Sequence, residues 1–187
     1  FVGELSLDGS LRPIEGCLPI ALLAERSGVA ELFVPAANAA EAAAVSRLTV
    51  VPVLHLKALI DHLEGAVPIR PQPPTPIEPV HATAPVELDD VRGHAAAKRA
   101  LTVAAAGGHH VLFTGPPGTG KTMLAQTLAA IAPPPTREEV IEVSRIYSAV
   151  GLTATTPLVT ARPFRAPHHS ASATAVLGGG AVPRPGE

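Results

Sequence analysis

Gly115, Gly120, Lys121 and Thr122 stand in the spacing G-x-x-x-x-G-K-[ST] within "TGPPGTGKTMLAQTL", a pattern that can hold a chain of phosphates. Each residue type has a task in that chemistry. Gly118 and Gly120 let the backbone curl until its N–H groups face phosphate oxygens, and the start of the following helix adds positive potential. Lys121 reaches the terminal phosphates, and the Thr122 hydroxyl is placed to coordinate Mg²⁺. The predicted ATP-binding set is Gly115, Pro116, Pro117, Gly118, Thr119, Gly120, Lys121, Thr122 and Met123. ATP and Mg²⁺ are the cofactors this set implies.

A phosphate loop needs a strand to deliver the chain and a helix to lead it away. "HVLFT" before the loop reads as a short buried strand, and residues 121–131 read as the helix. Upstream, "VELDDVRGHAAAKRALTVAAAGG" places Leu88, Val91, Ala95, Leu101 and Val103 on a roughly helical apolar face. Lys98 and Arg99 fall on the other side, and Gly107 and Gly108 end the run. Downstream, "TREEVIEVSRIYSAVG" opens with Thr136 and Glu139 at capping-box spacing. "RPFRAPHH" then reads as a second strand, running into a helix capped near Ser170.

Hydrolysis needs one more part, an acidic residue at the end of a second apolar strand, to hold the metal and orient water. After Thr122 the acidic residues are Glu138, Glu139, Glu142 and Glu187. The first three follow no apolar strand and read as a solvated helix face. No catalytic residue is therefore assigned within this chain, and the expectation is that it holds nucleotide without turning it over.

Nearly half of the 187 residues, 47%, are hydrophobic, enough for aliphatic cores in a chain without Trp. The net charge of −2 gives no bulk signal for nucleic acid. Cys17 has no second cysteine to pair with, which fits a reducing, cytoplasmic setting. The uncharged runs 100–120 and 166–183 are broken by Gly, Pro and His pairs, so no membrane span is expected. With Phe1 in place of Met and "AVPRPGE" at the other end, both termini read as cuts through a longer protein.

Composition separates three regions. In residues 1–65, a hairpin "GELSLDGSLRPI" leads to the helix "LPIALLAERSG" stopped at Gly28. The strand "VAELFVP", a helix opening on Asn38, the strand "LTVVPV" and the helix "HLKALIDHLEG" follow. Helices alternating with short apolar strands make an α/β unit. Residues 66–86 hold seven prolines and read as a semi-stiff linker. Residues 87–187 form the phosphate-loop region.

"DDVRGHAAAKRALTVAAAGGHHVLFTGPPGTGKTMLA" followed by "RPFRAPHHSASATAVLGGGAVPRPGE" resembles the magnesium-chelatase-related AAA+ proteins called YifB or ComM. The phosphate loop is generic, whereas "AAAGGHH" before it and "PFRAPHHS" with "GGG..PRPGE" after it are specific. The resemblance implies α/β architecture throughout. Residues 1–65 would be the later half of a Lon-protease-like domain, 66–86 the linker, and 87–187 the first part of a P-loop AAA+ parallel-sheet module. It also implies hexameric rings, DNA as partner, and helicase action in branch migration during natural transformation. The acidic strand would then follow soon after Glu187.

In the Lon pattern the catalytic Lys falls at the start of the helix "LPIALLAERSG", and Leu18 stands there. The implied fold therefore lacks protease chemistry, since a Ser–Lys pair needs the amine as base. Cys17 reads as a small buried residue. By the same resemblance "GGGAVPRPGE" belongs to a pore-facing loop, with Arg184, Arg165 and Arg162 within reach of DNA phosphates; taken singly, each also suits an ordinary surface contact. Val91 and Gly93 would lie beside the adenine. The doublets His109-His110 and His168-His169 have no third ligand at hand and read as non-metal. Two other functions stay open, a magnesium-chelatase motor and a nucleotide-switched assembly protein, with a Lon-type protease disfavoured by Leu18.

Overall fold

The Asp-Gly pair near the start folds the chain back on itself, joining β1 (Glu4–Leu5) to β2 (Leu11–Arg12) as an antiparallel hairpin. The computed structural model describes residues 1–45, 47–153, 155–181 and 183–187. Ser46, within the helix expected after Asn38, and Val182, within the glycine-rich segment, lie outside the described residues. The chain divides into two compact units: residues 1–77 with 141–159 and 171–187, and residues 78–140 with 160–170. The fold is mixed α/β with small sheets.

In the first unit α1 (Cys17–Arg26) ends in a hydrogen-bond pattern that needs Gly28 in the left-handed region, at φ +75°. Its last carbonyls are taken by the amides of Ser27, Gly28 and Val29, the closure of a helix C-terminus by glycine. β3 (Glu31–Pro35) and β4 (Thr49–Val53) pair in parallel, Glu31 opposite Thr49 and Pro35 opposite Val53. A parallel pair requires a crossover, supplied here by a single 3₁₀ turn (Ala36–Asn38) and the short α2 (Ala39–Ala42). The expected helix after Asn38 is thus only four α-helical residues long.

Both strands are buried on both faces over most of their length, as their Val-rich sequences require. Phe33, Val51 and Val53 form the core there, covered by Leu11, Ile69 and Leu59 of α3 (Leu56–Leu63). The proline-rich stretch after residue 67 has no helix or strand. Its first part is nevertheless tied down, with Gln72 N donating to Val50 O at 2.8 Å and Thr75 N to Ala43 O at 3.0 Å.

In the second unit the apolar run around residue 88 is not one helix. Gly93 and His94 are both left-handed, at φ +69° and +53°, and two such residues in succession break a helix. α4 therefore starts only at Ala95 and runs to Gly107. Leu88 and Val91 reach the core from the preceding turn, while Val103 is 47% exposed and Ala95 is exposed as well. The buried helical stripe is Ala97, Leu101 and Ala104, at spacings of four and three. It packs on α5 (Lys121–Ile131) through Leu124.

The expected strands at 110–114 and 162–169 have no strand structure here. A strand is fixed by its ladder partner, and neither segment has one among the described residues. The side chains of 111–113 still alternate: Val111 and Phe113 join the core, while Leu112 is 86% exposed. α6 (Arg137–Ala149) begins in this unit with the expected capping box. Thr136 N donates to Glu139 Oε2 at 2.8 Å, and Glu139 N to Thr136 Oγ1 at 3.2 Å. No helix among the described residues is long and apolar enough to cross a membrane.

Candidate phosphate-binding site

Three glycines set the course of the loop. Gly115, Gly118 and Gly120 have φ of +154°, +77° and +79°, values that side-chain-bearing residues rarely adopt. Around Gly118 nothing lies within 4 Å of an added Cβ, so conformation rather than space demands glycine there. Pro116 and Pro117 carry no N–H. After Gly115 the next amide donor of the loop is therefore that of Gly118.

Gly120 is the N-cap of α5, left-handed and without a side-chain cap. The first amides of that helix consequently have no side-chain acceptor of the kind that closes most helix starts. Residues 115–119 and Thr122 are exposed, whereas Lys121 is half-buried. The Lys121 ammonium folds back over the loop, donating to Gly115 O at 2.8 Å and Pro116 O at 2.6 Å, with a longer contact of 3.4 Å to Thr119 Oγ1. Thr119 Oγ1 itself donates to Pro116 O at 2.9 Å. Met123 packs into the core beneath.

A cationic amine, a helix start without a side-chain cap and a glycine-permitted curve lie together in this exposed loop, a donor set whose chemistry suits phosphate oxygens. Thr122, at the second helical position, is exposed. Among the described residues no three His, Cys, Asp or Glu side chains gather to hold a metal. His109 lies over Gly107, where an added Cβ would come within 2.3 Å of its ring, and His168 pairs with Ser170 at 2.7 Å and with the ring of His169.

The arginines expected at a nucleic acid part company. Arg162 is committed: its Nε donates to Pro133 O at 2.7 Å and its Nη2 to Glu139 Oε2 at 3.1 Å. The same pair corrects Glu139, which is not a merely solvated helix face. Arg165 is exposed. Arg184 is exposed on a small hairpin, its backbone exchanging hydrogen bonds with Gly179 at 2.9 and 3.1 Å. That hairpin is built on glycine, since a Cβ at Gly178 would meet Arg184 O at 2.6 Å and one at Gly186 would meet Val176 O at 2.4 Å. The short helix before it, α7 (Ala173–Leu177), is capped near Ser170 as expected, by Ser172, whose Oγ accepts from Ala175 N at 3.1 Å.

Val91 is buried against Leu101 and Leu124, while Gly93 is exposed. Cys17 and Leu18 are fully buried at the start of α1. Burial, and then the nearby Glu41, push the Cys17 thiol up to about 12, the opposite of an activated nucleophile. Sequence reasoning missed the polar cluster in the same unit. Glu41, 3% exposed, accepts from Asn38 Nδ2 at 2.8 Å and from Thr153 Oγ1 at 2.9 Å. The available signal was an Asn and a Glu three apart in an otherwise alanine-rich stretch.

Residues 87–187 match the family model described as magnesium chelatase, subunit ChlI, and residues 1–38 match a second one, subunit ChlI of Mg-chelatase. Across its whole length the chain is 45% identical to Rv2897c of Mycobacterium tuberculosis and 44% identical to YifB of Salmonella typhimurium. It is also 42% identical to the competence protein ComM of Haemophilus influenzae. The chain spans 36–37% of the length of these relatives. It belongs to the YifB/ComM group of the magnesium-chelatase ChlI family.

Proposed function

We propose that this chain is the nucleotide-holding portion of an AAA+ ATPase motor, a cytoplasmic DNA helicase of the branch-migration kind working in natural transformation. The single observation that supports nucleotide binding is the loop itself: Lys121 poised on the carbonyls of Gly115 and Pro116 above the uncapped start of α5. Lys121 and the amides from Gly118 to Thr122 would bind and orient the phosphates, and the Thr122 hydroxyl would hold the accompanying Mg²⁺. A bound Mg·ATP supplies the phosphoanhydride whose cleavage drives a motor. This reading assigns no acidic residue of residues 1–187 to directing water.

The DNA part rests on the relatedness to a competence protein over the whole chain. A hexameric ring, the Lon-like but protease-inactive character of residues 1–65, and contacts from Arg184 and Arg165 to DNA phosphates belong to the same reading. The chelatase alternative is favoured by the description of the family matched at 87–187. The match of residues 1–187 to YifB and ComM relatives weighs against it.

The test is Lys121→Ala in the full-length protein. Losing a charge-assisted hydrogen bond of roughly 1.5–3 kcal/mol lowers Mg·ATP affinity by about tenfold to a hundredfold, and turnover falls to background. Unchanged affinity and turnover would remove the nucleotide assignment. Branch migration on forked DNA by the wild type, lost in the variant, separates the motor from an assembly switch. ATP-dependent magnesium insertion into a porphyrin would decide for the chelatase.

A further inference from the structure

α1 starts after a left-handed glycine, Gly16, and has no capping side chain of its own. Its first turn is nevertheless satisfied, by a residue more than a hundred positions away. Gly16 N donates to Ser148 O at 2.8 Å, and Leu18 N donates to Ser148 Oγ at 3.3 Å. Ser148 and Leu18 are both fully buried. Five residues on, Thr153 Oγ1 donates to Glu41 Oε2 at 2.9 Å.

The receiving side is rigidly held. Asn38 clasps the backbone of Ile14 from both sides, accepting from its N–H at 3.0 Å and donating to its carbonyl at 2.9 Å, while also donating to Glu41 Oε1. The arriving side is held as well, since Val159 N donates to the buried Ser144 Oγ at 2.8 Å. Among the described residues no buried side-chain nitrogen or oxygen lacks a partner.

Apolar contact alone would hold a segment such as 141–159 in several neighbouring positions. The buried Glu41 carboxyl group and the buried amide of Leu18 cannot tolerate that freedom, because any shift leaves them without partners, and an unpaired buried polar group is costly. Matched polar groups of this kind select one placement even where they add little net stability. We propose that residues 1–77 serve as the docking platform for the chain's own segment 141–159, with Glu41 as the residue that selects its register. The socket at the start of α1 receives Ser148, and Glu41 receives Thr153. This role needs no bound nucleotide and stands apart from the phosphate loop.

Hydrogen exchange by mass spectrometry on the full-length protein tests it. Thr153→Val and Ser148→Ala each speed exchange in 141–159 about tenfold, and Ser148→Ala also exposes the amide of Leu18. Glu41→Ala does the same as Thr153→Val, Glu41→Gln does less, and the double variant Glu41→Ala with Thr153→Val is no faster than either single one. Amides of β3 and β4 report whether the unit remains folded; if Glu41→Ala unfolds it, Thr153→Val and Ser148→Ala decide. Exchange in 141–159 that is unchanged in those two variants, or effects of Glu41 and Thr153 that simply add, would overturn the proposal.

Discussion

α1 and α5 begin with the same local device and put it to opposite uses. Each follows a left-handed glycine, Gly16 at φ +76° and Gly120 at φ +79°, and neither N-cap has a side chain to offer. At α1 the opening is plugged: Ser148 takes the amides' hydrogen-bonding capacity, and Cys17 and Leu18 seal the turn from water. At α5 the opening faces solvent, with Lys121 at the first helical position. A helix start is therefore left open to an anion through what is kept away from it as much as through its own dipole.

The largest expected effect comes from forcing α1 to imitate α5. Leu18→Lys sets an ammonium into a fully buried place. An uncompensated buried charge costs about 3–5 kcal/mol, a large share of a typical domain's stability. Urea unfolding of the variant should show that loss, with no peptidase activity gained. A stable Leu18→Lys protein would mean that the start of α1 is more open than its burial indicates.

Replacing each glycine by alanine sharpens the contrast at a smaller scale. A left-handed alanine costs roughly 1–2 kcal/mol. Space is not the obstacle, since the nearest atom to a Cβ at Gly16 is Ala149 Cα at 4.0 Å, and at Gly120 it is the flexible Met123 Cε at 3.3 Å. At Gly16 the surroundings are fixed, so the cost should appear in unfolding free energy. At Gly120 the exposed loop can relax, so the cost should appear as Mg·ATP affinity lowered about tenfold, with unfolding nearly unchanged. The reverse assignment of the two effects would dissolve the comparison.

This contrast also marks what the sequence could convey. The loop was legible because its four diagnostic residues lie within eight consecutive positions, and its strain is carried by glycines that announce themselves. Gly28, the β3 and β4 strands and the Thr136–Glu139 box were legible for the same reason, being local. The plug on α1 was not, because Ser148 and Leu18 are separated by 130 positions and a serine inside a helix carries no mark of its partner. The helical face through Val103 failed at Gly93 and His94, where a left-handed non-glycine residue is hard to foresee. The segments around Val111 and Pro163 read as strands from their composition, but a ladder depends on a partner that composition cannot name.

Cys17 gives a subtler way to sharpen the comparison. Its thiol is pushed up to about 12, by burial first and Glu41 second. The neutral thiol's contribution to stability is fully present below the ordinary thiol range, near 8.5, and is lost as pH rises from there through about 12. Iodoacetamide at pH 8 should therefore label the native protein at least about a hundredfold more slowly than the urea-unfolded chain. Equal rates would show that the plugged helix start is accessible after all.

The smallest expected effect lies at the start of α6, a helix that closes its first turn with its own side chains. The backbone amide of Thr136 holds the Glu139 carboxyl below the usual carboxylate range, and Arg162 adds to that. The sign follows directly: the depressed carboxyl favours the folded turn above the ordinary range, near 4.3, and that support fades as pH falls through the lower folded value. The Glu139 side chain is 43% exposed, so solvent and salt screen the Arg162 part. Following the Glu139 carboxyl carbon by NMR should give a midpoint below the usual one, raised only in part by Arg162→Gln because the Thr136 amide remains. Full return to the ordinary value in that variant would assign the shift to Arg162 and leave the backbone amide of the capping box without a role in it.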